Sequence, residues 1–263
     1  MFFARLLAER TTAPVAWPQW LETSPEIFGW PYVLTRRLPG QALADPAVID
    51  SLSAEDRRQI ARLQGETLAA LQALTWEAAG DFDLGSGTIR PFEGGHTAHL
   101  IGEVRRSAGE AERSGALDSR DWDWIEAILT RAAGTGDGGA AVYLHNDFSL
   151  NNLLAERREG RWAITGVVDL MTSCFGAGEA DLCRQAANYL TQDPALTATL
   201  IAAYRDAGGG GSAPQDRAPL YALYERLLLW EYFTHPDHRA DWTRGLSFKG
   251  WARGFVDKLT ALF

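Results

Sequence analysis

One short stretch constrains this chain more than any other. It is His145-Asn146-Asp147-Phe148-Ser149-Leu150-Asn151-Asn152, followed by Val167-Val168-Asp169. A β-rich run, Ala141 to Leu144, leads into it. Asn152 to Ala155 and Trp162 to Asp169 read as two short strands, with Arg157-Arg158-Glu159-Gly160 turning between them, which predicts a β-hairpin. With the turn centred near Glu159, antiparallel pairing brings Asn152 and Asp169 together at the open end. An amide oxygen and a carboxylate side by side suit Mg²⁺, a hard cation that prefers oxygen ligands and keeps waters and phosphate oxygens in its shell. Asp147 arrives on the loop that enters the hairpin, where a carboxylate can accept or orient the proton of a hydroxyl. Phosphoryl transfer asks a protein mainly for positioning and electrostatics, and these three groups meet that demand. A single loop Asp or Asn ordinarily caps a helix or makes a turn. Three of them in register with a strand, a loop and a hairpin form a far more specific set.

The rest of the pattern surrounds this stretch with helices. Residues 1 to 10 read as an amphipathic helix, and Pro14, Pro18 and Pro25 then break the chain into loop and extended pieces. Trp30 to Thr35 reads as a strand, Arg36 to Gly40 as a connector. Ser53 begins a long helix to about Leu74, with Ser53 and Asp56 resembling a capping box and Ile60, Leu63, Leu68 and Leu71 at helical spacing. Residues 80 to 97 are Gly-rich and read as irregular. Helices are predicted over roughly 98–113, around Trp122 to Leu129, and over 179–191, 195–206, 217–234 and 247–262. Gly208 to Ser212 is a flexible loop.

Composition sets limits on function. With 46% hydrophobic residues in 263, the chain can bury a sizeable core. A net charge of -9 argues against a general nucleic-acid binder. It favours a cationic small molecule only mildly, because many cytoplasmic proteins are acidic. Two cysteines make no disulfide framework, no run approaches the length of a membrane span, and the first ten residues lack a signal-peptide cleavage site. A cytoplasmic location is expected.

Taken together, His145 to Asn152 (the His-x-Asp-x4-Asn spacing of a kinase catalytic loop), Asp169, Gly176 and Asp181-Leu182 resemble the aminoglycoside phosphotransferase family, small-molecule kinases related in fold to choline kinases and protein kinases. Tyr32 to Gly40 resembles that family's fifth strand and hinge, and Ser53 to Leu74 the first long helix of its C-terminal lobe. The resemblance implies an α+β, protein-kinase-like fold with a truncated N-terminal lobe and a mainly helical C-terminal lobe, divided as 1–40 and 41–263. It implies Asp147 as the catalytic base, Asn152 and Asp169 as Mg²⁺ ligands, backbone groups of Arg36 and Leu38 at the adenine, and helices after residue 179 lining the acceptor pocket. The donor would be Mg-ATP or Mg-GTP and the acceptor a hydroxyl-bearing small molecule. Three departures stand out. The Gly-containing loop, strand Lys and helix Glu that precede the hinge in that family are not found, and no Lys occurs before Lys249. Asn146 replaces the Gly after the loop His. Ala177 replaces the usual Asp after Gly176, with Glu179 nearby. The first departure keeps open a second reading, a pseudokinase that binds without transfer, and a third, an interaction protein with a relic site.

Supporting residues follow. His145 is read as holding the loop by hydrogen bonds in preference to acting as a base, and Asp181, at the head of a helix, as bracing the loop by accepting backbone N–H bonds. Glu179 and Glu231 are candidate substrate contacts, although Glu225, Glu231, Asp237 and Asp241 read more simply as a solvated acidic face. Gly134 to Gly139 precedes a strand and lacks the Gly-Lys-Ser/Thr of a phosphate loop. His96 with His99, and His235 with His238, lack partners for a metal site. Cys174 lacks a base to make it a nucleophile. The stripe Tyr221, Tyr224, Leu228, Trp230 and Phe233 reads mostly as core.

Overall fold

Helix α3 (Ala54–Gln72) anchors the second half of the chain in the computed structural model, which describes all residues except Gly138, Thr191, Gln192, 211–215, Pro236 and His238. Its start is fixed as the sequence predicts. The Asp56 N–H donates to Ser53 Oγ (3.1 Å) and the Ser53 N–H to Asp56 Oδ2 (3.0 Å), so two of the helix's orphan donors are satisfied reciprocally. Asp56 also accepts from Trp162 Nε1 (2.9 Å) and Arg157 Nη2 (2.7 Å), which ties the hairpin of the key stretch to this helix. Gly65, midway along α3, lets α7 (Pro194–Asp206) approach closely. A Cβ there would lie 2.7 Å from the backbone nitrogen of Tyr204.

Three small antiparallel sheets accompany the helices. The hairpin β8 (Leu153–Arg158) and β9 (Arg161–Val167) pairs Leu153 with Val167 and is joined at its edge by β3 (Gln41–Ala42). Glu159 and Gly160 turn it at φ 49° and 80°, the left-handed pair of a type I′ turn. A five-stranded sheet runs β4 (Thr75–Trp76), β7 (Ala141–Leu144), β10 (Cys174–Gly176), β5 (Gly80–Asp83), β6 (Thr88–Pro91). The third sheet is β1 (Gln19–Glu22) with β2 (Tyr32–Thr35), whose Trp20, Leu21, Val33 and Leu34 are exposed.

The expectation of irregular chain over 80–97 is corrected. β5 and β6 form a ladder from Gly80↔Pro91 to Asp83↔Thr88, and α4 (Gly95–Arg113) begins earlier than 98. The glycine that reads as a breaker, Gly80, sits in a strand because the Arg90 backbone passes where a Cβ would be. Asp137 accepts from the His96 and Thr97 N–H groups (2.8 and 2.7 Å), capping α4 from the far end of the Gly134–Gly139 loop.

Helices α5 (Ser119–Ala133), α6 (Glu179–Leu190), α8 (Ala218–Thr234) and α9 (Phe248–Thr260) complete the helical mass with α4 and α7. Helix α1 (Phe2–Arg10) belongs to the same core. The Phe3 ring packs 5.7 Å from Tyr143 and 5.6 Å from Phe175, and Leu6 and Leu7 are buried. The chain beyond α1 then runs beside β9, with the Val167 N–H donating to the Pro14 carbonyl (2.8 Å). No helix among the described residues is long and apolar enough to cross a membrane.

Candidate active site

The loop after β7 is held from below by one buried acid. Asp181 lies in the first turn of α6 and is 1% exposed. Its Oδ2 accepts from the His145 N–H (2.6 Å) and its Oδ1 from the Asn146 N–H (2.9 Å). Burial pushes its carboxyl up, opposed by His145, the two backbone N–H groups and Arg184. The His145 ring is also buried. It accepts from the Asp147 N–H at Nδ1 (3.3 Å) and, at Nε2, donates to the Val168 carbonyl (2.9 Å), linking the loop to the end of β9. Phe148, fully buried, pins the loop to the core. Asn146 sits at φ 61°, a region that Gly fills freely and Asn tolerates better than most residues. Its Nδ2 donates to the Thr172 carbonyl (2.9 Å).

Asp147, half-exposed, is thereby presented beside Asn152. The Asn152 amide Nδ2 donates both to the Asp147 carbonyl (2.8 Å) and to Asp147 Oδ2 (2.9 Å). Asn152 closes the short 3-10 turn Leu150–Asn152, one residue before β8, and its carbonyl accepts from the Val168 N–H (3.0 Å). That bond sets Asp169 at the open end of the hairpin, with φ 59°. No protein donor among the described residues engages Asn152 Oδ1 or the Asp169 carboxylate. Two oxygen ligands left open in this way suit a hard divalent ion, so the residues fit Mg²⁺. No group of three or more His, Cys, Asp or Glu among the described residues could hold a metal, so an ion here would complete its shell with water and phosphate oxygens.

Two cavities border this set. One, of about 390 Å³, is bounded by Phe3, Ala16, Val33, Thr35, Val168 and Asp169. The other, of about 400 Å³, is bounded on one side by Asn146, Asp147 and Thr172 and on the other by α4, α6 and α8. Arg184 projects into the second cavity from α6, one turn beyond Asp181. Its Nη1 lies 3.3 Å from Asp147 Oδ1 and its Nη2 lies 2.8 Å from Glu225 Oε2.

A family model for the phosphotransferase enzyme family (APH) matches residues 2–223. The chain belongs to that family.

Similar solved structures agree in fold. A protein provisionally described as an aminoglycoside phosphotransferase, from Ralstonia eutropha JMP134, is 14% identical, with 99% of this chain and 82% of that chain covered and a TM-score of 0.68. A thermostable mutant of aminoglycoside phosphotransferase APH(4)-Ia, in apo form, is 16% identical over 99% and 82%, with a TM-score of 0.62. An APH(2") enzyme in complex with GDP and kanamycin is 16% identical over 98% and 78%, with a TM-score of 0.60. A search among curated proteins finds no match. The α+β kinase-like fold with a large helical part is therefore the fold of this phosphotransferase-family chain.

Not every predicted site residue joins the set. Glu179 is buried and ion-paired to Arg217, whose Nε donates to Glu179 Oε1 (2.7 Å). Glu231 accepts from Ser107 Oγ (2.6 Å). Neither lines the cavity at Asp147. Arg36 is exposed, and Leu38 is buried against Gly166 of β9, while Val33 and Thr35 of the preceding strand face the cavity at Asp169. His96 is buried, accepts from the Ala177 N–H at Nδ1 (3.3 Å), and is pushed by burial down to about 4. His99 stacks on Phe92 at 3.8 Å. Burial pushes the Cys174 thiol up to about 12, which removes it as a nucleophile near neutral pH. Trp230 is core, while Tyr221, also buried, lines the second cavity with Tyr224 and Leu228. His238, and Gly211 and Ser212 of the predicted flexible loop, lie outside the described residues.

The sequence reading missed Arg184. It occurs three residues after Asp181 on a helix, which puts both on one face. That spacing is the only signal the sequence held.

Proposed function

We propose that this chain transfers the terminal phosphoryl group of ATP or GTP, as its Mg²⁺ complex, to a hydroxyl of a small molecule. One observation carries the reading. A carboxylate, Asp147, lines one cavity and a second, Asp169, lines another, and Asn152, whose amide nitrogen donates to Asp147, keeps its oxygen open. In this reading the nucleotide enters beside Asp169 and against Val33 and Thr35 of a first-lobe segment (1–40), and the backbone of Arg36 to Leu38 would serve as its hinge. The acceptor enters the cavity walled by the helical part (41–263). Asp147 receives the hydroxyl and orients it towards the donor. His145 and Asp181 hold the loop that carries it. Asn152 and Asp169 would hold Mg²⁺, which when bound neutralises charge on the phosphates. Two buried thiols, Cys174 and Cys183, suit a reducing cytoplasm.

The test is nucleotide binding by calorimetry with Mg²⁺, paired with turnover against a hydroxyl library. Asp147→Ala should keep the fold and nucleotide binding but lose transfer by roughly 10²–10⁴-fold, the range for a positioned acid–base group. Unchanged transfer by a folded Asp147→Ala variant refutes the assignment. The pseudokinase alternative draws on one observation. Among the described residues, no cationic side chain lines the cavity at Asp169. Nucleotide binding with no transfer to any acceptor would favour it.

A further inference from the structure

We propose that the β1–β2 hairpin forms the contact of a two-fold dimer, packed face to face against the same hairpin of a second copy of this chain. The inference is independent of the phosphoryl-transfer reading. The two strands pair only with each other, and their register sorts the side chains onto two faces. Gln19, Leu21, Val33 and Thr35 share one face, and three of them, Gln19, Val33 and Thr35, line the cavity at Asp169. Trp20, Glu22, Tyr32 and Leu34 share the other, and none of these lines that cavity. Trp20 and Leu34, directly opposed, are each more than half exposed, as are Ile27, Phe28 and Trp30 at the tip of the hairpin. The Phe28 ring meets Tyr32 edge-on at 4.8 Å, so the tip is held against this face and extends the patch. Aromatic anchors of this kind carry a large share of interface energy.

Area and charge both favour a second copy as the occupant. With aromatic side chains at about 150–250 Å² each, the exposed parts of Trp20, Ile27, Phe28, Trp30 and Leu34 amount to roughly 600 Å². That is the upper end of the largest patch on an ordinary monomer, about 300–600 Å². With the flanking polar side chains it approaches the roughly 800 Å² per partner of a standard interface. The charges are separated along the hairpin. Glu22 and Glu26 lie at the tip, and the exposed Arg36 and Arg37 follow Thr35 at the opposite end. Among the described residues, no ion pair engages any of these four. A two-fold axis through the Trp20–Leu34 pair reverses the hairpin, so each acidic tip meets the basic end of the other copy. A closed two-fold interface needs this self-complementarity. An anionic membrane surface would instead be repelled by the acidic tip.

Sedimentation equilibrium of the full chain tests the proposal. The native protein should have the mass of two chains at about 10–50 μM, as interfaces of this size bind at micromolar or tighter, and should assemble no further. Trp20→Ser should weaken the dimer by about thirtyfold or more, the effect of losing a central aromatic anchor. Leu34→Ser probes the same face and should also weaken it. Arg36→Glu with Arg37→Glu, and separately Glu22→Lys with Glu26→Lys, should each give monomers, because like charges then face each other. An equimolar mixture of the two charge-reversed proteins should return to a dimer, which a loss of folding would not produce. A native monomer at about 100 μM overturns the proposal, whether or not it co-sediments with phosphatidylcholine vesicles. Native assembly beyond two chains overturns it as well. So does a native dimer whose affinity survives both Trp20→Ser and Leu34→Ser, or folded charge-reversed proteins that fail to pair when mixed.

Discussion

Replacing Asp181 with Ala tests how the site loop is held. The side chain is 1% exposed, and its two oxygens accept the N–H groups of His145 and Asn146 at 2.6 and 2.9 Å. Hydrogen bonds to a charged group contribute about 1.5–3 kcal/mol each, so the gross loss is about 3–6 kcal/mol. Part is returned, because burial of the carboxylate carries its own penalty, visible in the upward push on its titration. A net destabilisation of about 2–4 kcal/mol is expected, a large share of the 5–15 kcal/mol typical of a folded domain. Urea unfolding should show a lowered midpoint with an unchanged slope. Native-state hydrogen exchange should show the His145 and Asn146 amides losing protection while amides in α3 away from the site change only by the global shift. Asp181→Asn should lie between, since its oxygen can accept one bond while its NH₂ opposes the second donor. If both amides keep native protection in Asp181→Ala and the stability change stays within about 0.5 kcal/mol, the bracing argument is wrong.

Other substitutions probe neighbouring claims. Asn146→Gly should be tolerated within about 1 kcal/mol because Gly accepts φ 61° without strain, whereas Asn146→Val should cost about 2 kcal/mol or more by forcing a β-branched residue into the left-handed region; thermal unfolding separates the two. Gly65→Ala should destabilise by about 1–3 kcal/mol, as its Cβ would press on the α7 backbone at Tyr204. His96 gives a pH signature. Its folded value, about 4, lies below the 6.5 of the free side chain, so the unfolded state binds the extra proton in that window. Its contribution to stability is present above pH 6.5 and falls away towards pH 4, by up to about 3 kcal/mol at about 1.4 kcal/mol per unit. The comparison with His96→Gln isolates this slope from Asp181, whose raised carboxyl acts in the opposite direction. A variant with the native acid slope would refute it.

What the sequence disclosed was local. The capping box at Ser53 and the hairpin turn at Glu159-Gly160 were readable because their partners are within a few residues of each other. The pairing that sets the Val168 N–H on the Asn152 carbonyl followed from the turn position and the antiparallel register. The misreadings were long-range. Gly80, Gly94 and Gly95 look like breakers, yet β5 and α4 form there because Arg90 and Asp137 supply what the local chain lacks. Glu179, a candidate substrate contact in the sequence, is buried against Arg217, a partner 38 residues away. Arg184 meets Asp147 across 37 residues, a contact that no pattern of spacing specifies.

Two long-range partners of the loop, Asp181 and Arg184, change the chemistry that the short motif suggests. A His-x-Asp-x4-Asn loop by itself defines a carboxylate and an open amide, and leaves the charge of the surroundings undefined. Here one helix supplies both the brace and the counter-charge, since Asp181 and Arg184 lie a single turn apart on α6. The position of the loop and the electrostatics of the facing cavity are therefore set by the same rigid element. A shift of α6 that lengthened the Asp181 bonds would also draw Arg184 away from Asp147. Loop order and the Arg184 contact to Asp147 should thus change together in variants of the α6 packing surface, whereas variants of α8 at Glu225 should alter the Arg184 contact and leave the Asp181 bonds intact.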